Sequence, residues 1–216
     1  MEPASTRTRR ERPTKGDRRE AAILEVTEGL LNKGAYVDIT MDDIARGAGI
    51  SRPSLYFYFA TKEDVLLCLI DQLIGEVRAQ TADIQQQLHG DIRTAIQTVL
   101  KSAIQTRRQH PGVARAATEN WAISSRLRQG WEGVLLEIVD VVEQVITAER
   151  AAGRAPAAHR SSSRAVATAL AMMNEYCFYL AEIDSQLALS DEELATTLGE
   201  ICLLGVYGTL PAENRV

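Results

Sequence analysis

The chain has 216 residues, 45% hydrophobic and 25% charged, with 14 glycines and 6 prolines, which excludes a disordered or collagen-like chain and permits a sizeable core. A formal charge of −5 argues against a basic coat that binds nucleic acid without sequence preference. The average hides a gradient: residues 1–19 carry seven basic side chains against three acidic ones, and residues 67–216 carry 13 against 18.

Residues 1–16 are polar, Arg-rich and Pro-containing, and are expected to form a flexible tail. From Ala21 to Tyr207 apolar residues recur three and four apart, and no period-two run is bounded by hairpin turns, so the fold class is all-α, with about nine helices. A first helix is predicted from about Asp17, with Ile23, Val26 and Leu30 on one face and Gly34 as its stop. Thr40-Met41-Asp42-Asp43 has the pattern of a capping box for a short helix carrying Ile44, Ala45 and Ala48. Ser51, two residues before Pro53, caps a second short helix running through Leu55 and Phe59. About three residues separate the two, as in a helix-turn-helix. Thr61-Lys62-Glu63-Asp64 repeats the cap pattern for a longer helix through Val77.

Further helices are predicted at Asp91–Arg108, Gly112–Asn120, roughly Trp131–Ala152, about 161–184, and from a Ser190 cap to about Tyr207. In the third of these, Trp131, Val134, Ile138, Val141 and Val145 define an expected buried face. The helix at 161–184 carries two apolar stripes, one through Val166, Leu170, Met173 and Cys177, the other through Ala167, Ala171, Asn174 and Phe178. It therefore needs cover on two sides. The division expected is a tail over 1–16, a helix-turn-helix domain over 17–64 and a second helical domain over 65–216.

In the second short helix, Leu55 and Phe59 point inward, which turns Pro53, Ser54, Tyr56 and Phe57 outward and leaves Tyr58 at the edge. Two hydroxyls, aromatic rings and Arg52 at the N-terminal end suit a helix entering a major groove, where an arginine reaches guanine O6 and N7 and hydroxyls meet phosphates. Lys62 brings an ammonium to the start of the next helix, a place that favours phosphate. The competing reading is that the four aromatics Tyr56–Phe59 are simply core. Four consecutive helical positions cannot all face inward, so Tyr56 or Phe57 stays exposed unless a partner covers it.

The pattern Thr40-x-x-Asp43-Ile44-Ala45-x5-Ile50-Ser51-x3-Leu55-Tyr56-x-Tyr58-Phe59-x2-Lys62 resembles the N-terminal domain of TetR-type transcriptional regulators. Gly49–Tyr58, Ala148-Glu149-Arg150 with Gly153 and Pro156, Met173-Asn174-Glu175 and Tyr207-Gly208 are similar to the mycobacterial EthR-type repressors within that family. The resemblance implies a dimeric repressor that binds double-stranded operator DNA, takes hydrophobic ligands in its C-terminal half and controls a Baeyer–Villiger monooxygenase gene. It assigns Thr40, Tyr56 and Lys62 to the phosphate backbone, and Arg52, Pro53, Ser54 and Tyr58 to base reading, with Ser51 at the same helix start. It places the dimer contact on about 161–184 and 191–207, and places Trp131 in the ligand pocket, with Met172, Met173 and Phe178 as companions. Asn174 is expected either to bind a ligand there or to bond a neighbouring helix. Glu175 is expected in a salt bridge or interface bond. Ile96, Ile138 and Cys202 stand where pocket aromatics of that group are expected, and Trp121 is a partial replacement or a domain-interface residue.

Cys68, Cys177 and Cys202 lie far apart and are expected as reduced core thiols. No apolar segment follows the basic N-terminus, and the most apolar long stretch contains Asn174, Glu175 and Glu182, so a cytoplasmic protein without a membrane span is expected. His89, His110 and His159 are isolated in sequence, and no nucleophile or phosphate-loop motif occurs. Metal, cofactor and catalysis are therefore not expected. The alternative from another class is a helical small-molecule-binding bundle with a vestigial helix-turn-helix. Tyr56 and Lys62 outside the core speak against it.

Overall fold

A computed structural model describes residues 14–81, 92–122, 124–156 and 161–208. The Arg-rich tail, His89 and His159 lie outside the described residues. Among the described residues the regular structure is helical throughout: α1 (Lys15–Leu31), a 3₁₀ turn (Tyr36–Asp38), α2 (Met41–Gly47), α3 (Arg52–Tyr58), α4 (Lys62–Thr81), α5 (Ile92–Gln109), α6 (Pro111–Asn120), α7 (Ser125–Ala151), α8 (Ser163–Glu182) and α9 (Asp191–Tyr207).

Side-chain caps set most of the starts. The box residues Thr14 and Asp17, Thr40 and Asp43, and Ser190 and Glu193 exchange side-chain and backbone hydrogen bonds, each satisfying orphan N–H groups of a first turn. Thr61 and Asp64 make the same exchange at α4. Two expectations shift. α1 ends at Leu31, and Gly34 is not among the left-handed glycines, which among the described residues are Gly49, Gly153 and Gly208. α7 starts six residues before Trp131 because Ser124 caps it, accepting from the Leu127 N–H.

The register of α7 also differs. Its buried apolar positions are Leu127, Trp131, Leu135, Val139 and Ile146, whereas Ile138 and Val141 are exposed. Trp131 is thus the one member of the expected face that is fully buried; Val134 and Val145 are intermediate, and the buried row continues through Leu135 and Val139, four residues apart.

The largest core cluster joins Ile23, Ile44, Leu55 and Phe59 of the first helices to Leu66 and Ile70 of α4, Val113 and Ala117 of α6, and Leu127 and Trp131 of α7. It runs without a break across residues 64 and 65, because α4 belongs to both halves. Two smaller clusters lie beyond it. One joins α5, α8 and α9 through Leu100, Ile104, Phe178, Leu194 and Leu198, and the other joins α7, α8 and α9 through Val139, Ile146, Ala167, Ala171 and Val206.

The seam between the first helices and α6 is close. Gly112 sits against the end of α1, where an added Cβ would lie 2.5 Å from the Leu31 carbonyl carbon. Its N–H donates to Asn32 Oδ1 at 2.9 Å, and Arg115 donates to the Leu31 and Gly34 carbonyls at 2.7 and 3.2 Å. A side chain of α6 therefore satisfies carbonyls that the end of α1 leaves open.

Candidate functional site

The residues at α2 and α3 fall as the hydrophobic pattern dictates. Ile44 and Leu55 are fully buried and Phe59 is 7% exposed, which anchors both short helices on α1 and α4. Gly47 lets α2 approach α1, since a Cβ there would meet Val26 Cγ1 at 2.5 Å. The turn passes through Gly49 at φ 64°, a left-handed conformation that favours glycine. With α3 so fixed, Tyr56 is 43% and Phe57 85% exposed, Pro53 is exposed, and Ser54 and Tyr58 are intermediate. Phe57 stacks edge-on against Tyr58 with ring centroids 5.5 Å apart.

The polar groups of this face are pre-arranged. The Ser51 hydroxyl accepts from the Ser54 N–H at 3.3 Å and lies 2.9 Å from the Ser54 hydroxyl. Arg52 donates to the Tyr56 hydroxyl at 3.2 Å and to Asp42 of α2 at 3.4 Å, with its guanidinium over the Tyr56 ring. Both bonds are exposed, so they hold the guanidinium fork near the outward surface of α3 at small energetic cost to release. Thr40 donates its hydroxyl to Asp43 at 2.5 Å, and these hydrogen bonds hold the Asp43 carboxyl below the usual carboxylate range.

Lys62 departs from expectation. Its ammonium has three N–H donors, and it makes three bonds to carbonyls inside the chain: Tyr36 at 3.1 Å, Val37 at 3.2 Å and Ile39 at 2.9 Å. It also lies 4.5 Å from the centre of the Tyr36 ring. Lys62 fastens the 3₁₀ turn that leads into Thr40, and no donor is left over for a phosphate in this conformation. Lys62→Met is expected to lower folding stability by about 1–3 kcal/mol, because charged hydrogen bonds to partly buried carbonyls are lost. Urea unfolding followed by circular dichroism checks this; an unchanged midpoint would mean the tie is idle.

In the C-terminal half the expected pocket residues separate into three environments. Trp131, 5% exposed, belongs to the main core. Phe178 and Met173 pack in the α5–α8–α9 cluster, while Ile138 and Trp121 are 46% and 38% exposed. Asn174 makes a long contact from Nδ2 to Cys202 Sγ at 3.7 Å, and its Oδ1 is buried with no hydrogen-bond partner.

Trp131 and Phe178 each lie near one guanidinium. Arg107 of α5 lies 6.0 Å from the Trp131 ring centre and 5.5 Å from that of Phe178. It donates to both oxygens of Glu175 at 3.0 and 3.1 Å and also bonds Glu182, while Thr118 of α6 donates to Glu175 at 2.9 Å. All three ionic side chains are nearly sealed from solvent, with exposures of 8% for Arg107, 11% for Glu175 and 4% for Glu182. One cation faces two carboxylates, and burial pushes the Glu182 carboxyl up despite the opposing attraction of Arg107. The salt bridge expected of Glu175 is present; Arg107 and Glu182 went unforeseen. Their signal was the seven-residue spacing of Glu175 and Glu182, which puts both on one face of an otherwise apolar helix.

Residues 23–69 match the family of bacterial regulatory proteins of the tetR type, and residues 92–208 match the C-terminal domain of the transcriptional regulator EthR. The second match alone spans more than half the chain.

The chain belongs to the TetR family, in its EthR-type group.

It is similar to the HTH-type transcriptional regulator EthR of Mycolicibacterium smegmatis, 38% identical over 205 residues, covering 95% of this chain and 94% of that protein. Its likeness to the EthR of Mycobacterium tuberculosis is 33% over 210 residues, covering 97% and 94%. The fold is shared with a TetR-family regulator of Syntrophomonas wolfei, at a TM-score of 0.72 and 15% identity, covering 93% of this chain and all of that one. It is shared also with Thermus thermophilus FadR, a TetR-family repressor solved with lauroyl-CoA, at 0.64 and 18%, covering 91% and 98%. This EthR-type chain is thus a TetR-type transcriptional regulator with a helix-turn-helix for DNA. Among its described residues no helix is long and apolar enough to cross a membrane.

Proposed function

We propose that this regulator is a repressor that binds operator DNA as a homodimer through α3 and is released by a small hydrophobic ligand held in its C-terminal half. The observation that carries the DNA reading is the outward face of α3. Tyr56 and Phe57 stay uncovered while Leu55 and Phe59 are anchored, an arrangement without use in a vestigial motif. Lys62, tied to carbonyls, no longer bears on that choice. In this reading Arg52 leaves Asp42 to meet a guanine, Pro53, Ser54 and Tyr58 line the base edges, and Thr40, Ser51 and Tyr56 meet phosphates.

The dimer reading rests on an apolar stripe in a different register from the one expected. Met172 and Tyr176 of α8 are 42% and 60% exposed, and Ile201 and Leu204 of α9 are 38% and 43% exposed. Each pair is spaced three or four residues apart and so shares a face. Two such faces related by a two-fold axis form an isologous interface, and place two α3 helices about 34–36 Å or a multiple apart for successive turns of one DNA face.

The ligand reading rests on the divided core. α5 packs on α4 and α9, and α7 packs on α4 and α8, but α5 and α7 do not pack extensively on each other. The buried, unpartnered Asn174 carbonyl lies on the helix behind both. A ligand N–H or hydroxyl would satisfy it, with Met173 and Phe178 of the same helix as the apolar surroundings. The target gene in this reading is a Baeyer–Villiger monooxygenase gene.

Replacing Arg52 by Ala tests the base-reading assignment. The substitution is expected to relax preference at one base pair of each half-site by about 1–3 kcal/mol and leave affinity for unrelated DNA nearly unchanged. Fluorescence anisotropy on an operator fragment and its single-base variants measures both. Equal losses on all sequences would place Arg52 on the backbone instead.

A further inference from the structure

The loop between α5 and α6 is a single residue, His110, and its ring stands between three helices. Nδ1 lies 2.6 Å from Glu28 Oε1 on α1, and Nε2 lies 3.2 Å from Glu76 Oε2 on α4. Its carbonyl accepts from the Ala114 N–H at 3.0 Å, so the same residue starts α6. A carboxylate only accepts hydrogen bonds, and a neutral imidazole has only one N–H. Both contacts are satisfied together only when both ring nitrogens carry protons. The neutral ring leaves one lone pair facing a carboxylate.

Among the described residues, no other group facing the ring supplies the missing proton. The charged groups facing it are Glu28 from α1 and Glu76 from α4. The two arginines in the last turn of α5 point elsewhere, Arg107 to Glu175 and Glu182 and Arg108 to Asp191. On α6, Arg115 is bonded to the carbonyls at the end of α1. The ring is about a quarter exposed, open enough to exchange protons and enclosed enough for its bonds to count.

We propose that His110 is a proton-dependent latch that fastens α6 to α1 and α4, closing when the ring is an imidazolium and loosening when it is neutral. The latch works beside the fixed ties at Gly112 and Arg115, so loosening it gives the start of α6 more freedom without unfolding the chain. Its value to regulation rests on the DNA-and-ligand reading above, since α1 belongs to the reading half, α4 runs through both halves and α6 lies in the body; the latch itself does not. Glu28 and Glu76 oppose desolvation and hold the imidazole above its ordinary value. For a group whose folded value is raised, the added stability is complete below about pH 6.5, the ordinary imidazole value, and disappears as pH rises through the folded value.

The test uses the full chain without DNA or ligand, so its failure is distinct from failure of the repressor reading. Imidazole NMR on wild type and His110→Gln assigns the ring, whose midpoint should lie above that of an exposed histidine and fall in Glu28→Gln and in Glu76→Gln. Hydrogen exchange of Val113 and Ala114, corrected for intrinsic rates, should speed up several-fold from pH 6 to pH 8.5 in wild type and stay flat in His110→Gln. A ring titrating at or below the free value overturns the proposal. So does the same exchange profile in His110→Gln or in Glu76→Gln, the variant that keeps the ring if His110→Gln fails to fold.

Discussion

Arg107→Leu is expected to cost about 3–5 kcal/mol of folding stability, a large part of the 5–15 kcal/mol that holds a typical domain together. The loss is not mainly that of favourable contacts. Removing the guanidinium leaves Glu175 and Glu182 buried and facing each other across the space it filled, and the desolvation of two carboxylates is then uncompensated. The variant should be partly rescued in two ways. Adding Glu175→Gln and Glu182→Gln removes the charges and should recover most of the deficit. Acid should help as well, because burial already raises the Glu182 carboxyl and a neutral carboxyl needs no cation. A raised carboxyl contributes stability below its unfolded value and loses it as pH rises through the folded one. The deficit of Arg107→Leu should therefore be larger at pH 8 than at pH 5 in urea unfolding. An equal deficit at both would mean that packing between Trp131 and Phe178, not charge, is what Arg107 supplies.

The second large effect concerns assembly. Substituting Glu for Tyr176 and Leu204 together puts two carboxylates per subunit on the exposed stripe of α8 and α9, four in the proposed interface. Light scattering is expected to show the particle mass fall from dimer to monomer. Operator affinity should fall about 10²–10⁴-fold, because each reading head then binds without the effective concentration its twin provides. Circular dichroism should stay unchanged, since both positions are exposed in the single chain. A dimer that survives the double substitution would move the interface to another face.

How far the sequence could be read depended on whether an interaction was local. The starts of α2, α3, α4 and α9 were legible because a cap lies three residues from its partner, and the division of Leu55 and Phe59 from Tyr56 and Phe57 followed from helical period alone. The misplacements involve partners far along the chain. Lys62 looked like a free cation at a helix start, and only the fold brings the carbonyls of Tyr36, Val37 and Ile39 to it across more than 20 residues. His110 looked isolated because Glu28 is 82 residues away and Glu76 is 34 away. Trp131 and Phe178 fall in different core clusters, and the guanidinium that lies near both rings comes from Arg107 on α5, 24 residues before Trp131 and 71 before Phe178. On α7 and α8 two apolar rows compete, and periodicity does not say which row meets a neighbouring helix.

The central claim is that this acidic chain reads a particular DNA sequence through two copies of α3. Selection of bound fragments from genomic DNA by the full chain, followed by sequencing, tests it most directly. One enriched pseudo-palindromic motif is predicted, with half-sites separated by whole helical turns, and Arg52→Ala should relax its preference at one position of each half-site. Recovery of fragments in proportion to length alone, with no shared motif, would contradict it.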